Sequence, residues 1–333
     1  MRSVILACVS TIVLVGCSCE NNTPPPAAEV TPPVDAAQPG IAVGEPNPAT
    51  PPPADPNAPP VDGEVTLKAA ATSVAGANVV IAWTGPGNSG DYIDIVPRGY
   101  ADTKGEITYD YVRNSNGAAT VRAPTEAGEY DIRYVLDMAG PRTVKATSPL
   151  TVTAAAATLT GPATAETGQD LEFGWTGPNG PGDYIDLVKA GVTATSGEIT
   201  YAYTSAGSPA KLEAPSSPGA YQIRYVLEGP NGRKVPTGVP LTVTQARATL
   251  KAPGSVAKGA KFKVDWTGPK SSGDYLDLVP KGATATSGEK SYFYVTGAPD
   301  LTAPTEAGDY EVRYVLEAPG GRAILARVPI QVR

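Results

Sequence analysis

Apolar and polar residues alternate strictly in Lys261-Phe262-Lys263-Val264-Asp265-Trp266, with Phe262, Val264 and Trp266 on one face and charges on the other. A period of two is the signature of a half-buried β-strand. The pattern occurs twice upstream, with Leu171, Phe173 and Trp175 inward and with Val79, Ile81 and Trp83 inward. A Gly-Pro pair that begins two residues after the Trp ends each strand. The next strand is Asp91 to Val96, in which Ile93 and Ile95 share one face and Tyr92, Asp94 and Val96 the other. A Thr-, Ser- and Gly-rich loop leads to a strand from Ile107 to Val112. A short strand near Ala119 to Arg122 stops before Pro124, and a Gly128-Glu129-Tyr130 corner opens a long strand to Leu136. A last strand ends at Val152. No segment has a helical period, so roughly seven short strands per unit predict an all-β sandwich.

This strand pattern is written three times. W-T-G-P, three residues, then G-D-Y-[IL]-D-[IL]-V begins at Trp83, Trp175 and Trp266. A-P-x-x-x-G-x-Y-x-[IV]-R-Y-V-L follows each time, with its central Tyr at Tyr130, Tyr221 and Tyr310. A period of about ninety residues, each copy holding its own Trp and Tyr core anchors, means tandem globular modules rather than a solenoid. The modules are expected at 63–153, 154–244 and 245–333. No Gly/Ser spacer separates them, which predicts a semi-rigid rod. The Gly-x-Tyr before the long strand resembles the tyrosine corner of immunoglobulin-like and fibronectin type III folds, where the hydroxyl bonds nearby backbone. The Trp on the second strand resembles the fibronectin type III pattern. The wider repeat is similar to Ig-like modules of bacterial proteins that carry von Willebrand factor A domains, over roughly residues 65 to 333. That resemblance implies three tandem seven-stranded sandwiches. The metal-site pattern D-x-S-x-S of the von Willebrand domain does not occur, so functions resting on that domain do not carry over.

The N-terminus sets an expectation about location. Arg2 precedes an almost wholly apolar run from Val4 to Val15, too short to span a bilayer and suited to a signal-peptide core. It closes on Leu14-Val15-Gly16-Cys17, which resembles the lipobox of bacterial lipoproteins. The resemblance implies cleavage of residues 1–16 and lipidation of Cys17. Ser18 rather than Asp at the next position implies outer-membrane sorting in a Gram-negative cell, facing the periplasm or the cell surface. The chain's cysteines are Cys8, Cys17 and Cys19, so no disulfide staples the repeats, and Cys19 is expected to have no role. Residues 17–62 are rich in Pro and Ala, lack aromatics and carry Pro-Pro-Pro at Pro24 and Pro51. They cannot bury enough surface to fold and read as a disordered stalk with a reach on the order of 100 Å at ~3.1 Å per residue.

Charge and composition narrow the chemistry. Histidine is absent, which removes Ser-His-Asp and Cys-His nucleophile systems and His-based zinc sites. Asp91 and Asp94 recur as a pair, but at i and i+3 on a strand they face opposite ways, unlike the facing carboxylates of a glycosidase. The net charge of −7 argues against nucleic acid as a partner. The third module is locally basic through Lys251, Lys258, Lys261, Lys263, Lys270 and Lys281, which reads as a solvated sheet face. The reading is therefore not an enzyme, with no cofactor and no metal.

Three recurring features remain. Asp94, Asp186 and Asp277 lie on the outward face of one strand, and Arg133, Arg224 and Arg313 on the outward face of its expected neighbour. They predict exposed cross-strand ion pairs Asp94–Arg133, Asp186–Arg224 and Asp277–Arg313, each contributing ~0.2–1 kcal/mol. Tyr92, Tyr184 and Tyr275 lie beside them as candidate ligand contacts. The Y-x-Y pairs Tyr109/Tyr111, Tyr201/Tyr203 and Tyr292/Tyr294 either cover a sheet edge or form platforms for sugar rings. Asp91, Glu106 and their equivalents could lend oxygens to calcium, which takes six to eight. The function expected is non-enzymatic: a lipid-anchored envelope protein presenting Ig-like modules for protein interaction or spacing. The alternative is a surface adhesin that binds carbohydrate through the tyrosines. The expected partners are the membrane, through Cys17, and an envelope protein or a glycan.

Overall fold

The computed structural model describes residues 61–333 apart from 115–116, 139 and 298–299. The signal segment, Cys17 and the stalk as far as residue 60 lie outside the described residues. Val61 and Asp62 are already bonded to the first sandwich. Val61 N donates to Asn88 Oδ1 at 2.8 Å, and Lys145 Nζ lies 2.6 Å from Asp62 Oδ1.

The first sandwich comprises β1 (Thr66–Lys68), β2 (Thr72–Val74), β3 (Asn78–Thr84), β4 (Tyr92–Pro97), β5 (Thr108–Tyr111), β6 (Ala118–Arg122), β7 (Gly128–Leu136) and β8 (Thr143–Thr153). One sheet has the order β1-β3-β6 and the other β2-β8-β7-β4-β5. The alternation does what its period demands: β3 buries Val79 and Ile81 and exposes Asn78 and Val80. The opening segment forms two strands, one in each sheet. β1 runs antiparallel to β3 with Leu67 opposite Trp83, then the chain changes sheets and β2 runs parallel to β8. The split gives the edge of each sheet a partner, which an isolated edge strand needs.

The second sandwich repeats this with β9 (Thr158–Thr160), β10 (Thr164–Glu166), β11 (Asp170–Thr176), β12 (Tyr184–Lys189), β13 (Thr200–Tyr203), β14 (Ala210–Glu213), β15 (Gly219–Leu227) and β16 (Lys234–Thr244). The third has β17 (Thr249–Lys251), β18 (Ser255–Val256), β19 (Lys261–Lys263), β20 (Asp265–Thr267), β21 (Tyr275–Pro280), β22 (Ser291–Tyr294), β23 (Asp300–Thr302), β24 (Gly308–Ala318) and β25 (Gly321–Val332). There the strand read from Lys261 to Trp266 breaks into β19 and β20, with Val264 between them still buried. Each five-stranded sheet keeps the same order, β10-β16-β15-β12-β13 and β18-β25-β24-β21-β22. The result is three tandem immunoglobulin-like β-sandwiches, each with an extra strand flanking the larger sheet.

Between the sheets of the first sandwich, Ile93, Ile95, Ile132, Tyr134 and Leu150 are fully enclosed. Trp83 is half-buried and packs against Tyr134 with ring centroids 5.8 Å apart. Trp175 and Trp266 meet Tyr225 and Tyr314 in the same way at 5.9 and 5.8 Å. The corner tyrosines bond backbone four residues upstream: Tyr130 to Glu126 O at 3.0 Å, Tyr221 to Ser217 O at 2.8 Å, and Tyr310 to Glu306 O at 3.3 Å. The basic residues Lys251, Lys258, Lys261, Lys263, Lys270 and Lys281 are all exposed.

Candidate functional site on the five-stranded sheets

The paired register of β4 and β7 sets Asp94 directly opposite Arg133, and β12/β15 and β21/β24 do the same for Asp186/Arg224 and Asp277/Arg313. Each contact is a two-point fork. Arg133 donates through Nε to Asp94 Oδ1 at 3.0 Å and through Nη2 to Oδ2 at 2.6 Å. Arg224 meets Asp186 at 3.0 and 2.6 Å, and Arg313 meets Asp277 at 2.9 and 2.6 Å.

Their environment corrects the expectation of exposed pairs. Arg133 is 2% exposed and Asp94 0%, and the other two pairs are equally enclosed. The side chains do leave the outward face of the sheet, but that face does not meet solvent, because the polar loop after β4 folds over it. Arg133 Nη1 donates to the carbonyls of Tyr100 at 3.1 Å and Asp102 at 2.7 Å. Arg224 Nη1 reaches Ala194 O at 2.6 Å, and Arg313 Nη1 reaches Ala285 O at 2.7 Å. Burial pushes the Asp94 and Asp186 carboxyls above their ordinary value, with the guanidinium opposing it. The bonded carboxylate holds each arginine above its own. These are buried, fully bonded ion pairs, which lose several kcal/mol when one partner is removed.

The same loop covers most of Tyr92, Tyr184 and Tyr275, which the sequence had placed on an open outward face. They are 3%, 4% and 3% exposed, and their hydroxyls donate to Thr103 O, Thr195 O and Thr286 O at 2.8, 3.2 and 2.7 Å.

Asp91 turns the other way, into the sandwich. It accepts from Tyr134 OH at 2.7 Å, Asn88 N at 3.0 Å, Asn88 Nδ2 at 3.1 Å and Asp137 N at 3.0 Å. Asp183 and Asp274 hold Tyr225 and Tyr314 likewise, at 2.8 and 2.7 Å. Burial above all pushes these three tyrosine hydroxyls well above their ordinary value, and the bond to the aspartate adds to it. The aspartate oxygens offered to calcium by the sequence are thus taken by internal donors. Among the described residues no group of three or more acidic, His or Cys side chains is placed to hold a metal ion.

The Y-x-Y pairs behave differently. They lie on β5, β13 and β22, each the edge strand of its five-stranded sheet. Tyr109, Tyr201, Tyr203, Tyr292 and Tyr294 are 48–52% exposed. Tyr111 is half-buried under Arg113, whose guanidinium carbon sits 4.9 Å from the ring centre. The two rings of each pair stand nearly perpendicular: 85° at 5.5 Å, 81° at 5.4 Å and 87° at 5.7 Å. The buried tyrosine of β4, β12 or β21 closes each edge-to-face triad.

An arginine completes each cluster. Arg142, Arg233 and Arg322 lie over Tyr92, Tyr184 and Tyr275 at 5.4, 5.5 and 5.4 Å from the ring centres. They are held there by Asp137, Glu228 and Glu317 at 2.9, 2.6 and 2.9 Å. The sequence reading missed these residues. Their signal was present in the repeat: an acid directly after each Y-V-L, and an arginine further along the same turn. In the second sandwich the cluster encloses a cleft of about 290 Å³, lined by Tyr184, Tyr201, Tyr203, Glu198, Glu228 and Arg233. Ring faces, hydroxyls and a fixed Arg–Glu pair around one small cleft suit a ligand with one apolar face and hydrogen-bonding edges.

No protein-family model matches the chain, and no curated protein does. Solved structures of multidomain proteins do align. The three N-terminal domains of the bacteriophage RB49 highly immunogenic outer capsid protein give 12% identity and a TM-score of 0.25, over 81% of this chain and 98% of that one. The I-band fragment I67–I69 of titin gives 13% identity and a TM-score of 0.21, over 82% and 99%. The insect immune protein hemolin gives 12% and 0.21, over 81% and 76%. Likeness at this level decides nothing about function, and the fold assignment stands on strand order and register.

Proposed function

We propose that this chain is a non-enzymatic protein of a Gram-negative cell envelope, anchored in the outer membrane by lipid on Cys17, that presents its Ig-like sandwiches to a protein partner. The Pro-rich segment up to residue 60 acts as a spacer. The observation that carries the reading is the repetition of one surface cluster, a tyrosine pair beside a braced arginine, on the same sheet edge of all three sandwiches. These rings pack on the buried tyrosine beside them yet leave about half their surface open to solvent in five of six cases. Identical clusters on linked modules suit a multivalent binder, for which linkage raises avidity by about 10²–10⁴ when geometry permits simultaneous contact.

A second reading, carbohydrate binding, is favoured by the cleft beside Tyr201 and Tyr203. Its exposed rings and its Arg–Glu pair fit a sugar's apolar face and hydroxyls.

The test replaces Tyr109, Tyr111, Tyr201, Tyr203, Tyr292 and Tyr294 with Ala. Because most of these rings are half-exposed, each pair should change stability by only about 1 kcal/mol. Capture of an envelope protein should fall at least tenfold, with no glycan signal before or after the change. Glycan binding by the wild type that is lost in the variant supports the second reading. Undiminished capture by the variant removes the clusters from the function.

A further inference from the structure

The two joints between sandwiches are built from the same repeat positions with opposite chemistry. At the first joint the facing end of the first sandwich carries Val74, Ala75, Asn78 and Arg122. The equivalent residues at the second joint are Glu166, Thr167, Asp170 and Glu213. Both register pairs, Asn78 opposite Arg122 and Asp170 opposite Glu213, occupy the same place in their sheets.

Arg122 locks the first joint. It donates through Nη1 to Pro181 O at 2.6 Å, and its Nη2 lies 3.2 Å from the buried carboxylate of Asp183. Asn231 Oδ1 accepts from Thr125 N at 2.7 Å, and Lys234 pairs with Glu126. The apolar cores of the first and second sandwiches run into one another, whereas the third core stands apart.

Among the described residues no arginine or lysine makes such a bridge at the second joint. Its direct polar contacts among these residues include Ser216 N to Pro319 O at 2.9 Å, Ser271 Oγ to Gly168 O at 2.8 Å and Ala246 N to Thr167 Oγ1 at 3.0 Å. Beside them lies a cavity of about 580 Å³, whose charged lining is Glu166 from β10, Asp170 from β11, Glu213 from β14 and Lys270 from the third sandwich. Lys270 Nζ sits over the Trp266 ring at 5.6 Å. Asp274, which corresponds to the Asp183 that Arg122 meets at the first joint, is fully buried and bonded to Tyr314 OH, Ser271 N and Glu317 N. Where the first joint sets a cation against its aspartate, the second sets Glu213.

We infer that the joint between the second and third sandwiches is a pH-gated hinge, closed in mildly acidic conditions and opening as pH rises, while the joint between the first and second stays closed. Burial first, then Asp170 and Asp274, pushes the Glu213 carboxyl up to about 7. Opening removes Asp274 and part of the burial, so the closed joint binds the proton more tightly than the open one. A proton therefore favours closure. The stabilisation is complete below the open-state pKa and is lost as pH rises through the closed-state value. The hinge is independent of which partner the sandwiches meet.

The test uses the full chain with donor and acceptor dyes at equivalent exposed positions, Val80 and Glu172 across the first joint, or Glu172 and Lys263 across the second. Between about pH 5 and pH 8 the closed-to-open ratio at the second joint should fall at least tenfold, the factor that one pKa unit of differential proton binding gives. The first joint should not respond, and Glu213→Gln should leave the second closed at both pH values. A second joint with the same distances at both pH values overturns the inference, as does a Glu213→Gln chain that opens like the wild type.

Discussion

Arg224→Met should destabilise the second sandwich by about 3–5 kcal/mol, although the side chain touches no ligand and lies far from the module ends. The substitution leaves the Asp186 carboxylate enclosed without its two-point partner and frees the loop carbonyl of Ala194. An exposed pair would contribute at most ~1 kcal/mol, so the measurement separates the buried arrangement from the surface one. Denaturant unfolding of the full chain, followed through a probe in the second sandwich, reads the change. Adding Asp186→Leu to Arg224→Met should recover at least half of the loss, because a buried charge is the main source of it. A change below about 1 kcal/mol for the single variant would show that the loop does not close over the pair in solution.

Asp183→Ala should have an effect of similar size, about 3–5 kcal/mol, by a different route. Its carboxylate accepts from Tyr225 OH at 2.8 Å, Gly180 N at 2.8 Å and Glu228 N at 3.0 Å, and it meets Arg122 across the first joint. Each buried donor left without an acceptor costs roughly 1–3 kcal/mol, and neighbouring losses add incompletely. Tyr225→Phe removes one of these bonds and should cost correspondingly less. Asp183→Ala should also loosen the first joint, read by the Val80/Glu172 dye pair, whereas Tyr225→Phe should not. Equal losses in the two variants would contradict the assignment of Asp183 as the shared acceptor.

Much of this architecture is legible in the sequence for a physical reason. A strand packed on one face must alternate, and Val79, Ile81 and Trp83 show that period without help from any other residue. The partnership of Asp94 with Arg133 follows from parity, because Tyr130 and Ile132 face inward and Arg133 cannot. Its burial does not follow. The residues that enclose it act through backbone carbonyls, Tyr100 and Asp102 in the first sandwich, and carbonyls leave no side-chain signature. A Thr/Ser/Gly-rich loop reads as solvated whether it hangs free or folds back. The pairing of Asp91 with Tyr134 was hidden for another reason: 43 residues separate them in the chain, and only the sheet brings them within 2.7 Å. The split of the opening strand into β1 and β2 lies below the reach of periodicity, since each is a strand of 3 residues. By contrast, the clusters built around Arg142, Arg233 and Arg322 were readable from the repeat alone, as an acid and an arginine kept at fixed places after Y-V-L. The contrast between Arg122 and Glu213 was readable in the same way.

We propose that a lipid on Cys17 holds the folded sandwiches at a membrane. Fractionation of cells expressing the wild type and Cys17→Ala, followed by limited proteolysis of each fraction, tests it most directly. The wild type should sediment with the outer membrane, Cys17→Ala should be exported but soluble, and protease should leave in both a resistant fragment beginning near Val61. A wild type that is soluble, or a Cys17→Ala chain that still sediments with the membrane, would contradict it.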